Sequence, residues 1–165
     1  MNGGTLPKKT QKVNRDEEIK NKIKDIVWIG RLAKEKGLEI LLKSVNELEK
    51  DKYRLKILGD GPLRKKMELK VKNLNLQKNI KFLDQRYNID NISEYVSSVI
   101  SFGGSAGYEY TKLGIPVITA GDTRYSNFGL TQSPRNLKEY KLILSKLDKS
   151  HKVNTKKKFK AGLYW

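Results

Sequence analysis

The sequence predicts an α/β fold, a single Rossmann-like parallel sheet with helices on both faces. Two observations carry this. Short apolar runs, partly β-branched, recur along the chain and stop at glycine, as at Ile26-Val27-Trp28-Ile29 before Gly30. Between them lie segments whose apolar residues repeat at helical spacing, and strands alternating with helices imply a parallel sheet. The 165 residues, 37% of them hydrophobic, suit one domain with one core. The absence of Cys excludes disulfides, thiolate metal sites and Cys nucleophiles, and a single His excludes a His-rich metal site. No run approaches the ~18 apolar residues that a membrane-spanning helix requires.

The elements follow in order. Residues 1–24 are polar and charged, lack the apolar centre of a secretory signal, and read as a leader. The domain is expected over 25–148. After the first strand, a helix is expected from Gly37 to Lys50, with Leu38, Leu41, Leu42, Val45 and Leu48 on one face. Tyr53 to Leu58 is the second strand, ended by Gly59-Asp60-Gly61. Pro62 suits the opening turn of the next helix, where its missing N–H costs nothing; Leu63, Met67, Val71 and Leu74 are its apolar set. Asn79 to Leu83 is a third strand and Asn91 to Val96 a short helix. Val99 to Phe102 is a fourth strand, Ser105 to Leu113 a helix stopped by Gly114, and Pro116 to Ala120 a fifth strand. A last amphipathic helix runs from Asn136 to Leu147. Residues 149–165 form a basic tail, or helix, in which Phe159, Leu163, Tyr164 and Trp165 interleave with lysines.

The formal charge is +17, from 35 Lys and Arg against 18 Asp and Glu. Such a field favours polyanions: nucleic acid, an anionic membrane face or phosphorylated small molecules. Lysines spread over solvated faces are the plainer account. Ligands of open α/β sheets bind at the carboxyl ends of the strands, so the loops at 30–37, 59–62, 103–107 and 121–131 are the places for chemistry.

Two loops stand out. In Gly30-Arg31-Leu32-Ala33-Lys34-Glu35-Lys36-Gly37, an Arg follows a strand and a Lys lies five residues on. A guanidinium offers a bidentate fork and an ammonium a point charge, and together they suit a phosphate. In a basic protein the same residues also arise as solvated charge. In Gly103-Gly104-Ser105-Ala106-Gly107-Tyr108-Glu109, small residues let backbone N–H groups approach a phosphate, and an early carboxylate can accept both hydroxyls of a ribose. A tight turn with a solvated Glu is the alternative. His151 reads as solvated, Trp28 as core and Asp60 as shaping its turn. Arg124 and Tyr125 read equally as facing a base or sugar and as structural.

The three blocks Val27-Trp28-Ile29-Gly30-Arg31-Leu32…Lys36-Gly37, Leu55-Lys56-Ile57-Leu58-Gly59-Asp60-Gly61-Pro62-Leu63 and Asn79-Ile80-Lys81-Phe82-Leu83 agree in order and spacing with one family. They resemble the opening of the C-terminal, donor-binding domain of GT-B glycosyltransferases, in particular the large retaining group 1 family (family 4). Glu109 followed by Gly114-Ile115-Pro116-Val117 resembles the GT-B pattern of a ribose-binding Glu before Gly-x-Pro-Val. By this resemblance Arg31 and Lys36 grip the donor diphosphate and Glu109 the ribose. Gly61, Gly104, Ser105, Ala106 and Gly107 complete the expected nucleotide-sugar-binding set. No catalytic residue, metal or cofactor is assigned.

The chain also departs from that pattern. Group 1 enzymes usually carry a second Glu eight residues before the ribose one, and that place is Ser101 here. From Gly103 to Tyr140 the chain resembles capsular polysaccharide proteins of the Kdo-transferase type, through Gly104-Ser105-Ala106-Gly107-Tyr108-Glu109, Pro116-Val117-Ile118-Thr119-Ala120-Gly121-Asp122 and Tyr125-Ser126-Asn127-Phe128-Gly129-Leu130-Thr131. Those enzymes use a CMP-linked sugar, whereas the first half points to UDP or GDP.

The resemblance implies one half of a GT-B enzyme for surface polysaccharide or glycoconjugate synthesis. It implies a cytoplasmic chain, inactive alone, with the acceptor site on an N-terminal domain that is a separate chain or has been lost. The tail fits contact with an anionic membrane or with that other domain. Two other readings stand beside it: a basic α/β module that binds nucleic acid, which the resemblance disfavours, and a non-catalytic subunit of a split transferase.

Overall fold

The structure, a computed structural model, describes residues 23–84 and 96–147. Five strands, β1 (Lys24–Ile29), β2 (Tyr53–Leu58), β3 (Ile80–Leu83), β4 (Ser98–Ser101) and β5 (Val117–Thr119), form one parallel sheet in the order β3-β2-β1-β4-β5. Among the described residues, three helices connect strands, α1 (Leu38–Val45), α2 (Arg64–Asn73) and α3 (Ala106–Lys112), and a fourth, α4 (Leu137–Ser145), follows β5. The α/β fold with helices on both faces is as expected. β1 starts at Lys24, a residue assigned to the leader, because Lys24 pairs with Tyr53. Residues 1–22 of the leader, residues 91–95 of the expected short helix, and the tail lie outside the described residues.

The strands alternate their side chains between two cores. Ile26 and Trp28 of β1, Leu55 and Ile57 of β2, Ile100 of β4 and Ile118 of β5 turn to one face. There they meet Leu38, Leu41, Leu42 and Val45 of α1, Met67 and Val71 of α2, and Tyr140 and Leu144 of α4. Val27, Leu58, Val99 and Val117 turn to the other face and meet Tyr110 of α3 and Ile115. A parallel sheet needs such cover on both sides, which is why its strands read as continuous apolar runs.

Helix ends follow local chemistry. α1 stops at Val45, short of the expected Lys50, and residues 46–50 continue as turns in which Leu48 still packs on the core. At the start of α4, Asn136 accepts a hydrogen bond from the Glu139 N–H at 2.9 Å, and the Glu139 carboxylate accepts one from the Arg135 N–H at 2.7 Å. The two bonds satisfy donors that a helix start leaves open.

Candidate functional site

The strand register puts every carboxyl end at one level. Leu83, Leu58, Ile29, Ser101 and Thr119 form a row across the sheet. From β1 the chain order runs outward through β2 and β3, and on the other side through β4 and β5. The chain leaving β1 enters α1 on one face, and the chain leaving β4 enters α3 on the other. The loops therefore diverge between β1 and β4, and this switch point is where open α/β sheets bind ligands.

The first loop borders that crevice. A short 3-10 turn spans Lys34–Lys36 and ends at Gly37, whose φ of 65° is the left-handed conformation that glycine adopts without cost. This turns Lys36 across the switch point, its Nζ 5.6 Å from the centre of the Phe102 ring just beyond β4. Arg31 is exposed in the adjoining groove, over the ends of β1 and β2, with Gly59, Asp60 and Gly61. Both cations thus reach the ligand edge, from neighbouring grooves. Arg64, the guanidinium at the start of α2, is engaged: it donates to the carbonyls of Gly59 and Leu83 at 3.2 and 3.3 Å and pairs with Glu68 at 2.9 Å.

Gly61 lines the Arg31 groove, and it also has a structural reason. A Cβ there would stand 2.6 Å from the Leu32 carbonyl oxygen and 2.8 Å from its nitrogen. The closeness is fixed by backbone bonds, Leu32 N–H to Asp60 O at 2.8 Å and Leu63 N–H to Leu32 O at 3.0 Å. Asp60 shapes this turn through its carbonyl, and Trp28, 2% exposed, is core.

The second loop is built differently from its sequence reading. Gly104 is exposed with φ 97°, and Ser105 and Ala106 lead into α3. Gly107 was expected to clear space for a phosphate. Its open side is instead taken by Tyr125, whose hydroxyl would lie 2.4 Å from a Cβ at Gly107. That hydroxyl donates a 2.6 Å hydrogen bond to the Gly104 carbonyl. Burial holds the Tyr125 phenol above its ordinary value; a hydrogen bond with Thr123 works against this, and the charge of Glu109 adds to it. Glu109 is exposed on α3, one turn beyond Ser105, on whose carbonyl its N–H rests at 3.0 Å. Ser101 is fully buried at the end of β4, and its hydroxyl donates to the Gly103 carbonyl at 3.0 Å.

Beside α3 the loop after β5 encloses a pocket of about 660 Å³. Tyr108, Tyr125, Phe128 and Leu130 line it together with Asp122, Thr123 and Arg124. Sequence reasoning singled out Arg124 and Tyr125 but missed Phe102, Tyr108, Asp122 and Phe128. Gly121 was the available signal: it lets the loops after β4 and β5 close on each other, a Cβ there falling 2.4 Å from the Phe102 carbonyl. Among the described residues, no group of three or more His, Cys, Asp or Glu is placed to hold a metal ion, and no helix is long and apolar enough to cross a membrane.

Comparison with known proteins agrees with this architecture. The sequence model of the family described as glycosyl transferases group 1 matches residues 9–125. An uncharacterized glycosyltransferase of Methanocaldococcus jannaschii is 35% identical over 79 residues, 44% of this chain and 19% of that protein. A Campylobacter jejuni α-1,4-N-acetyl-D-galactosaminyltransferase, named for a diNAcBac-PP-undecaprenol-linked GalNAc substrate, is 35% identical over 72 residues, 42% of this chain and 20% of that protein. The chain thus spans about a fifth of the length of the curated relatives it matches. Among solved structures, Anabaena HepE in complex with UDP and glucose superposes with a TM-score of 0.68 at 17% identity, over 92% of this chain and 46% of that one. The chain belongs to the glycosyl transferases group 1 family.

Proposed function

We propose that this member of the glycosyl transferases group 1 family is a nucleotide-sugar-binding domain serving the synthesis of surface polysaccharide or glycoconjugate. The observation that carries the reading is the loop after β1, which brings Lys36 to the Phe102 ring beyond β4 and leaves Arg31 exposed over the ends of β1 and β2. Two cations on one loop meet the charge of a donor phosphate, and Glu109, one turn into α3, meets a ribose. UDP and glucose in the structural neighbour, and the undecaprenol-linked substrate in a relative's name, support the same class of donor and product. The donor nucleotide is UDP, GDP or CMP: the blocks from Val27 to Leu83 point to a nucleoside diphosphate, and the Kdo-transferase-like stretch after Gly103 points to CMP. Transfer on this reading needs an acceptor-binding domain, whether joined to this sequence or supplied as a separate chain, and peripheral contact with an anionic membrane would bring both to a lipid-linked acceptor.

Calorimetric titration with UDP, GDP and CMP tests the reading, with a duplex oligonucleotide as the competing ligand. A donor domain binds one nucleotide and responds modestly to salt. A polyanion binder takes any oligonucleotide and loses affinity steeply as salt rises, as counterion release requires. Oligonucleotide binding without nucleotide binding would replace this proposal with the nucleic-acid reading. A transfer assay with the chain alone, and with an acceptor domain added, separates a split transferase from a self-sufficient one.

A further inference from the structure

We propose that the outer face of the helical layer formed by α1, α2 and α4 docks on an anionic lipid bilayer. The inference rests on the peripheral membrane contact in the reading above and names the surface that makes it.

The three helices cover one face of the sheet as a single layer. Ion pairs tie α1 to its neighbours on both sides. Glu39 meets Lys66 and Lys70 of α2 at 2.7 and 3.7 Å, and Glu47, just past α1, meets Lys141 of α4 at 2.6 Å. The other carboxylates of these helices are engaged as well, Glu68 with the Arg64 guanidinium and Glu139 with the Arg135 N–H. The charged groups left over are lysines. Lys43, Lys65, Lys72 and Lys138 are exposed and enter no ion pair among the described residues.

Each helix sets an exposed aliphatic residue on the same stripe as those lysines. Leu69 lies four residues after Lys65 and three before Lys72, Ile40 three before Lys43, and Leu142 four after Lys138, spacings that share a helix face. Leu69, Ile40 and Leu142 are 58, 51 and 50% exposed. One such residue on a surface is ordinary; the same aliphatic-and-lysine stripe on three adjoining helices is a pattern. A bilayer interface takes both halves of it at once. The aliphatic ends enter the acyl boundary, and each lysine stem lies along them while its ammonium reaches a lipid phosphate. Nucleic acid has no use for the aliphatic residues, since its bases stack on aromatic rings and these stripes carry none. A protein partner would cover an apolar centre depleted of lysine, whereas here lysines stand between the apolar residues. The ligand crevice opens at the carboxyl ends of the strands, an edge of the sheet, so a bilayer against this helical face leaves it open.

The test sediments the full chain with vesicles of phosphatidylglycerol and phosphatidylcholine, and with vesicles of phosphatidylcholine alone, beside a titration with UDP, GDP and CMP. The wild type should bind the anionic vesicles only. Lys65→Gln with Lys72→Gln should weaken that binding about twentyfold, and Ile40→Ser with Leu69→Ser about tenfold. All four side chains are exposed, so both variants should melt like the wild type. Lys81→Gln with Lys112→Gln removes the same charge from the other face of the sheet, where β3 turns Lys81 and α3 carries Lys112. This pair should change little, because the surface potential fades within a Debye length. Equal losses for the two lysine pairs, unchanged binding in the serine variant, or a wild type that ignores anionic vesicles overturns this surface. Binding of a single-stranded oligonucleotide in place of vesicles, weakened by the lysine changes alone, gives the face to nucleic acid and overturns it too. Nucleotide binding that persists through any of these outcomes keeps the donor-domain reading standing. A chain that binds vesicles and no nucleotide overturns that reading alone.

Discussion

The Lys36 ammonium stands 5.6 Å from the centre of the Phe102 ring. The two residues belong to loops that leave β1 and β4 for opposite faces of the sheet, so the contact crosses the switch point and closes one end of the crevice between them. A cation over an aromatic face gains about 0.5–1 kcal/mol at such partly exposed sites. That holds the Lys36 stem in place while the ammonium still has hydrogen-bonding capacity for a ligand. Gly37 makes the approach possible, since its left-handed backbone turns the chain immediately after Lys36 and its α-carbon faces the same ring.

If Arg31 and Lys36 hold a phosphate, replacing either by Ala weakens nucleoside-diphosphate binding by about 1.5–3 kcal/mol, the scale of a charge-assisted hydrogen bond. Stability should respond differently. Arg31 is exposed, so Arg31→Ala should leave the melting temperature nearly unchanged. Lys36→Ala should lower it slightly through the lost Phe102 contact. Titration calorimetry and thermal melts of both variants separate the two effects. Wild-type affinity in either variant would remove that residue from the site.

The strands were legible because each is a local apolar run stopped by a turn, as at Gly30 and Gly59. α1 was legible because Leu38, Leu41, Leu42 and Val45 mark one face. The sheet order was not, since pairing β1 with β4 depends on residues some seventy positions apart, and nothing local encodes it. The position of the Arg31 loop at the carboxyl end of β1 was legible, since it directly follows an apolar run stopped by Gly30. The second loop was read only halfway. Gly107 signalled a close approach, and the sequence gives no sign that the approaching group is the phenol of Tyr125, eighteen residues on. Ser101 likewise turns its hydroxyl into its own loop, a hydrogen bond that residue type alone does not announce.

Glu109→Gln should discriminate between sugars of the nucleotide. A carboxylate accepts strong hydrogen bonds from ribose hydroxyls, and the neutral amide accepts weaker ones. Ribonucleotides should therefore lose affinity, and 2′-deoxyribonucleotides should lose less, in a side-by-side titration. Equal losses would reduce Glu109 to a surface charge near the start of α3.

The site glycines should part company on substitution. In Gly61→Ala the new methyl meets the Leu32 backbone at 2.6 Å, and Leu32 cannot retreat without breaking its bonds to Asp60 and Leu63. Backbone strain of about 1–3 kcal/mol, with a lost bond of about 0.5–1.5 kcal/mol, is the expected cost. Gly104→Ala meets nothing within 4 Å and bears only the strain of its φ of 97°. Urea unfolding should therefore show the larger loss for Gly61→Ala. The reverse order would mean that the turn at Gly61 relaxes freely.

Tyr53 gives the fold a dependence on alkaline pH whose sign is fixed. Its hydroxyl donates to the Val45 carbonyl at 2.9 Å, at the end of α1, and burial pushes its pKa up to about 12. An unfolded tyrosine ionises near pH 10. Below that value both states hold the proton and the contribution is complete. Above it the unfolded chain releases the proton while the folded chain keeps it, so stability falls as pH rises from about 10 to about 12. Tyr140, buried and also raised, adds a loss of the same sign. Lysines lose charge over the same range and relieve the self-repulsion of a +17 chain, so the wild type alone mixes opposing trends. The comparison with Tyr53→Phe isolates the effect. At neutral pH this variant should be less stable by about 1 kcal/mol, for the lost buried hydrogen bond. That deficit should shrink above pH 10, because the variant has no phenol at position 53 to ionise on unfolding. Urea titrations at a series of pH values, with tyrosinate absorbance followed in parallel, give both quantities; a deficit constant with pH would show that the Tyr53 phenol titrates alike in both states, and a growing one that it ionises more readily in the folded chain.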